Sequence, residues 1–179
     1  MKVNIKTSRL LVRNFQTGDW QALYEYTSDE QVMKFLPEYV FTEQNAQHFV
    51  QKHSGDEARC FAVCLTDEQR LIGHISFHKH FGDHTYEIGW VFHPAYCNKG
   101  YATEAAKAML RHGFEQLQLH RIIATCQPEN IASHRVMEKI GMRREGFFKK
   151  CIPRGQEWWD EYCYAILREE WMDAIQRYT

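Results

Sequence analysis

Apolar and polar positions change their period along the chain, and the changes mark the elements. Arg9–Asn14 reads as a short strand. Between Thr17 and His53 the apolar residues then recur at helical spacing. Thr17 is placed to cap a helix with Trp20, Leu23, Tyr24 and Thr27 on one face. Ser28–Glu30 breaks it, Val32–Leu36 makes a further helical turn, and Pro37 stops that turn. Glu38–Phe41 is expected to be a loop with two exposed aromatics, Tyr39 and Phe41. Thr42 caps a helix that turns Ala46, Phe49, Val50 and His53 inward, and Ser54-Gly55-Asp56 ends it.

From Cys60 the pattern is that of strands. Cys60–Leu65 is a buried run, and Arg70–His78 and Thr85–Phe92 follow. Turns are expected at Thr66–Gln69 and at Phe81–His84, around Gly82-Asp83. Helical spacing returns over Ala102–Leu117, with Ala102, Ala105, Ala106, Met109, Leu110, Gly113, Phe114 and Leu117 on one stripe. A strand Arg121–Gln127 comes next, then a helix Asn130–Ile140 with Val136, Met137 and Ile140 inward. Two long strands, Arg143–Cys151 and Glu157–Arg168, are joined at Pro153-Arg154-Gly155, and Glu169–Tyr178 is helical. Meander strands followed by crossover helices predict a mixed α/β (α+β) fold in a single domain over residues 1–179.

Composition narrows the function. A chain of 179 residues with 44% hydrophobic and 25% charged residues is long enough and apolar enough for a real core. A formal net charge of −1 with no basic stripe excludes an electrostatically driven nucleic-acid binder. No apolar stretch approaches membrane-spanning length, and Met1–Val12 is not a leader. The six cysteines, Cys60, Cys64, Cys97, Cys126, Cys151 and Cys163, include no CxxC pair, which fits free thiols in a cytoplasmic protein.

Candidate chemistry centres on Glu87–Glu104. A strand is stopped by Pro94, and Asn98, Lys99, Gly100, Tyr101, Ala102 and Thr103 turn it into a helix. The first-turn amides of a helix lack intrahelical partners and carry the positive end of its dipole, while Gly100 and Ala102 leave room for an anion. A phosphate or pyrophosphate site is expected at Asn98–Thr103; the alternative is a plain turn in which Gly100 only relieves strain. Neither GxxxxGK[ST] nor GxGxxG occurs.

This loop resembles motif A of the GNAT N-acetyltransferase superfamily, Q/R-x-x-G-x-G/A, with Cys97 standing where Gln or Arg is usual. Asn130 through Ser133 and Glu138-Lys139 to Gly141-Met142 resemble N-x-x-S-x-x-x-x-E-K-x-G-F, the signature of the branch that acetylates ribosomal-protein N-termini. Thr7–Arg13 at the start, and Trp159–Tyr162 with Arg168–Trp171 at the end, are similar to that branch too. The resemblance implies a twisted mixed sheet whose fourth and fifth strands splay apart to admit acetyl-coenzyme A. It also implies backbone amides near Val91, Phe92 and His93 for the thioester oxygen, and Ser133, beside Asn130, as hydrogen-bond donor to the coenzyme A sulfur.

Glu87, at the start of the central strand, is the candidate base; otherwise it is a solvated carboxylate near a hairpin. Ser133 is otherwise an inconsequential first-turn serine, and Asn130 reads as a helix N-cap. Glu104 is expected to point away from the phosphate site. His74, His78 and His80 share a strand face, yet no metal is expected. Trp158 and Trp159 face opposite ways, one into the core and one, with Tyr39 and Phe41, walling an acceptor pocket. The expected activity is acetyl transfer from acetyl-coenzyme A to a primary amine, foremost a protein N-terminal α-amine. The alternatives are a small-amine acetyltransferase and a non-catalytic acyl-coenzyme A-binding module. The partners are the cofactor and the amine acceptor, without nucleic acid or membrane, with a homodimer left open.

Overall fold

The computed structural model describes residues 1–176, so 177 and 178 of the expected closing helix lie outside the described residues. The elements run β1 (Asn4–Lys6), β2 (Leu10–Arg13), α1 (Trp20–Thr27), α2 (Glu30–Met33), α3 (Glu43–Lys52), β3 (Cys60–Leu65), β4 (Leu71–Phe81), β5 (Thr85–Phe92) and α4 (Tyr101–Arg111), then β6 (Arg121–Cys126), α5 (Ile131–Lys139), β7 (Arg143–Arg154), β8 (Glu157–Leu167) and α6 (Arg168–Gln176). The fold is mixed α/β, with an eight-stranded mixed sheet in the order β1-β2-β3-β4-β5-β6-β8-β7. Two compact units divide the chain: residues 1–77 with 90–108, and residues 78–89 with 109–179.

In the first unit β1, β2, β3 and β4 pair antiparallel in turn. Its core gathers Phe15, Leu23, Tyr26, Ala46, Val50, Ala62, Cys64 and Leu71, with Val91 packed against them. Helix α3 starts as its sequence dictates: Thr42 accepts from the Asn45 amide at 3.2 Å, and the Asn45 side chain accepts from the Thr42 amide at 3.0 Å. Thr17, by contrast, does not cap α1. It opens a 3₁₀ turn, Thr17–Asp19, whose leading amide, that of Gln16, donates to Asp19 at 2.7 Å. Asp19 is buried because Arg13 grips it at 2.6 and 2.9 Å. Phe41 is half-buried rather than exposed, with its ring 5.6 Å from that of Phe49.

In the second unit β6 and β8 pair antiparallel from Arg121↔Leu167 to Cys126↔Tyr162, and β7 adds outside β8. Ile122, Ala124, Met137, Ile140, Tyr164 and Ile166 are buried. The expected helix Ala102–Leu117 is α only to Arg111; His112–Gln116 widens into a π turn. β7 runs past its expected end at Cys151 to Arg154, β8 stops at Leu167, one residue short of expectation, and the turn between them is the residue pair Gly155-Gln156. Pro153 sits within β7, which a sheet-edge strand tolerates. Between Phe148↔Glu161 and Ile152↔Trp159, the residues Lys149, Lys150 and Cys151 bulge opposite Asp160 alone. Lys150 is left-handed there (φ +48°), and its amide donates to Asp160 Oδ1 at 2.7 Å. Neither neighbouring tryptophan is core: Trp158 is exposed, and Trp159 lies half-buried under the Arg154 guanidinium, 5.1 Å away.

Candidate active site

The turn expected to bind an anion belongs to the first unit. Asn98 (φ +60°) and Gly100 (φ +82°) are both left-handed, and α4 begins directly after them. Gly100 meets a conformation that costs other residues strain; Asn98 is the residue type that tolerates it best among those with side chains. Glu104 points away from the turn, as expected, and into the opening segment of the chain. It accepts from Thr7 Oγ1 at 2.6 Å, Ser8 Oγ at 3.2 Å, the Arg9 amide at 3.2 Å and Arg9 Nε at 2.6 Å. Burial raises its carboxyl, but the bonds from Thr7 and Arg9 outweigh that and hold it below its usual value. Arg9 also donates to the Lys99 carbonyl at 3.1 Å and lies 4.6 Å over the Tyr101 ring. The Thr7-Ser8-Arg9 stretch therefore braces the turn and neutralises Glu104 beside it, a role that the sequence signalled only as similarity.

The amides nominated for the thioester oxygen divide. That of His93 donates to the Ile72 carbonyl at 2.9 Å, and the His93 ring accepts from the Ala95 amide at 3.1 Å as a cap. His93 is thus spent on structure, leaving Val91 and Phe92 as the nominated donors. Tyr39 is 70% exposed.

The candidate carboxylates lie in the second unit. β5 and β6 run parallel and pair at Thr85↔Arg121, Tyr86↔Ile122 and Glu87↔Ile123, and the ladder goes no further although both strands continue. This is the expected parting of strands; the added β1 makes them the fifth and sixth. Glu87 stands at the point of parting. Its Oε1 accepts from Thr125 Oγ1 at 3.1 Å, and its Oε2 lies 3.2 Å from His80 Nδ1. Thr125 also hydrogen-bonds Glu161, whose carboxyl is raised by burial and by the charge of Glu87, against the pull of that bond. Glu161 was quoted in the sequence only within a motif. Nothing local marks it, since only the pairing Thr125↔Cys163 brings β8 alongside and puts Glu161 on the face of Thr125. His80 likewise comes to Glu87 across the β4–β5 hairpin.

Ser133 occupies the first turn of α5, where Asn130 Oδ1 caps its amide at 3.2 Å, as expected. The Ser133 hydroxyl bonds the Cys126 thiol, which burial pushes up to about 11. Thr125 and Cys126 are adjacent in β6 and so point to opposite faces. Glu87 and Ser133 therefore address opposite faces of the strand at the level where β5 and β6 part. A groove of about 370 Å³ beside α5, lined by residues including Pro128, His134, Glu138, Arg144, Tyr162 and Tyr164, contains none of the nominated residues. Of the histidines on β4, His74 is buried with Nδ1 2.8 Å from the Tyr26 hydroxyl, and burial lowers it to about 3. No helix among the described residues is long and apolar enough to cross a membrane.

Comparison with known proteins identifies the family. The profile of the Acetyltransferase (GNAT) domain matches residues 9–143. YnaD of Bacillus subtilis (strain 168), an uncharacterized N-acetyltransferase, is 69% identical over 169 residues, covering 94% of this chain and 99% of YnaD. The crystal structure of a GNAT-family acetyltransferase from Bacillus anthracis superposes with a TM-score of 0.91 at 65% identity, over 93% of this chain and 99% of that one. More distantly, the [ribosomal protein uS5]-alanine N-acetyltransferase of Escherichia coli (strain K12) is 24% identical over 183 residues, 95% of this chain and 93% of its own. With a parted parallel strand pair and a family profile running through both units, the chain belongs to the GNAT family and is an acetyl-coenzyme A-dependent N-acetyltransferase.

Proposed function

We propose that the enzyme transfers acetyl directly from acetyl-coenzyme A to a protein N-terminal α-amine, with residues 1–179 acting as one domain in the cytoplasm. The observation that carries the direct transfer is the placement of Glu87 and Ser133 on opposite faces where β5 and β6 part. A thioester entering there has an amine-deprotonating carboxylate on one side and a hydroxyl for the leaving sulfur on the other. Asn98–Thr103 hold the pyrophosphate on the α4 amides, and Val91 or Phe92 donates to the carbonyl oxygen as it gains charge. Glu87 takes the proton of the amine, and Ser133 donates to the developing thiolate.

The acceptor class rests on charge. Asp29, Glu30 and Glu38 are exposed in the segment that also carries Tyr39, and such a segment draws the basic residues behind a free N-terminus. Similarity to the uS5-alanine enzyme supports the same reading. Six free cysteines support the cytoplasmic one. The test compares kcat/KM for the peptide Ala-Arg-Lys-Arg, its N-terminally blocked form, spermidine and free alanine. The free peptide is expected to be fastest, and its advantage to shrink as salt rises through ~0.1 M, where the screening length is ~10 Å. Faster turnover of spermidine or alanine would assign the enzyme to small amines, and equal turnover of the blocked peptide would point to lysine side chains.

A further inference from the structure

Amide formation removes two protons from one nitrogen. The acceptor arrives as R–NH₃⁺; one proton must leave before its lone pair can attack, and a second leaves after the C–N bond has formed. A single carboxylate must discharge between the two. This site holds a second carboxylate that the reaction as described above does not use.

Glu161 and Glu87 share one neutral donor. The Thr125 hydroxyl carries one proton, lies 3.1 Å from Glu87 Oε1 and also bonds Glu161. Two of the other groups facing them add no free positive charge. Arg121 of β6 is committed to Glu145 of β7, and burial keeps the Cys163 thiol of β8 protonated. His80 of β4 reaches Glu87 at 3.2 Å. The two carboxylates around one hydroxyl thus have His80 as a basic neighbour, and an ammonium group is the further cation that the reaction itself brings.

We propose that Glu161 is a further catalytic residue, which together with Glu87 binds the acceptor as its ammonium form and receives the second of its two protons. The inference rests on the transferase reading above. In the first step R–NH₃⁺ gives a proton to one carboxylate. The freed lone pair attacks the thioester carbon and the C–N bond forms. As the tetrahedral intermediate collapses, the C–S bond breaks and sulfur leaves with the electron pair, while the nitrogen gives its second proton to the other carboxylate. One proton then returns to the thiolate and one goes to solvent, so that amine plus thioester becomes amide plus thiol. Burial and the neighbouring charge raise Glu161, which suits it to hold a proton nearer neutral pH than an ordinary carboxylate.

The test measures kcat, KM and pH profiles of Glu161→Gln, Glu161→Asp, Glu87→Gln and the double Gln variant, with whichever panel amine the wild type acetylates fastest. Wild-type turnover of any panel amine upholds the underlying reading, and the variants then judge the pair. Glu161→Gln is expected to lose about 10²-fold or more in kcat/KM for the amine, the lower end of what a general base supplies. The acidic limb should move to lower pH, the KM for acetyl-coenzyme A should hold, and Glu161→Asp should recover part of the loss. The double variant should fall little below the worse single one, because residues acting as a unit are not additive. A Glu161→Gln enzyme with wild-type amine kcat/KM and an unmoved pH profile would overturn the proposal. So would a loss that Glu161→Asp shares in full, or one that follows a drop in Tm.

Discussion

Arg9→Ala is expected to weaken acetyl-coenzyme A binding about tenfold at low salt, by uncovering a carboxylate. In the folded chain Arg9 covers Glu104 through Nε and Nη2, both 2.6 Å from Oε2. Without it, Glu104 keeps only Thr7, Ser8 and a backbone amide, none of them charged. Glu104 follows Gly100 by four residues, which is ~6 Å along a helix axis at ~1.5 Å per residue. Two unit charges ~6 Å apart in water repel by ~0.7 kcal/mol, so a doubly charged pyrophosphate loses ~1.4 kcal/mol, a factor of ten. The pair contributes much less to folding. Arg9 is 45% exposed, and exposed pairs are worth ~0–1 kcal/mol, or at most ~4 °C in Tm for a chain of this size. Titration calorimetry at low and high salt separates the two effects. The affinity loss should shrink as the screening length drops from ~30 Å at ~0.01 M to ~3 Å at ~1 M. Glu104→Gln on top of Arg9→Ala should restore wild-type affinity. Unchanged binding in Arg9→Ala would refute the electrostatic argument; a double variant as weak as the single one would mean that Arg9 grips the cofactor itself.

Gly100→Val puts a β-branched residue at φ +82°, where a Cβ meets only Arg9 Nη2 at 3.5 Å, so it should cost ~1–3 kcal/mol through the backbone and abolish the thermal shift that acetyl-coenzyme A gives the wild type. Retention of that shift would move the pyrophosphate elsewhere. Ser133→Ala removes one hydrogen bond to a developing thiolate, worth roughly 1.5–3 kcal/mol, so kcat should fall roughly ten- to a hundredfold in single turnover; a wild-type rate would leave the serine a role only toward Cys126 and the helix start. His74 is held at about 3 in the folded chain against an ordinary 6.5, so the unfolded chain binds the extra proton. Its contribution is therefore full above the ordinary value and is lost as pH falls toward 3, with a slope reaching ~1.4 kcal/mol per pH unit. His74→Gln should show a shallower decline of Tm between pH 6.5 and 4, and parallel curves would clear His74 of the effect.

What the sequence disclosed was local, and what it hid depended on partners distant in the chain. β3 and β5 were read with their observed ends because apolar runs bounded by turn residues need no partner to be recognised. Thr42 was read as a cap because its partner, Asn45, is three residues away. Asn130 and the turn through Gly100 were legible for the same reason. Glu161, Arg9 and Phe41 were not. A glutamate in a tryptophan-flanked hairpin looks solvated until the β6–β8 register places it beside Thr125. An arginine near the start of the chain looks like surface until α4 brings Glu104 to it. Phe41 looked exposed because its loop is polar, whereas Phe49, on the following helix, offered its ring. The Trp158–Trp159 expectation failed because alternation sorts faces but does not say that either face is covered.

The bulge in β7 has a consequence for solubility. As the last strand of its sheet, β7 presents open backbone groups and the exposed rings of Phe147 and Phe148, with Trp158 exposed on the strand it pairs. An uninterrupted edge of that composition is a template on which a stray strand can polymerise. Lys149–Cys151 break the template: the ladder skips there, the Lys150 amide is turned back to Asp160, and Pro153 offers no N–H beyond it. Asp160→Ala would therefore loosen a safeguard against aggregation, so that such a variant could keep its turnover while precipitating sooner on concentration or mild heating.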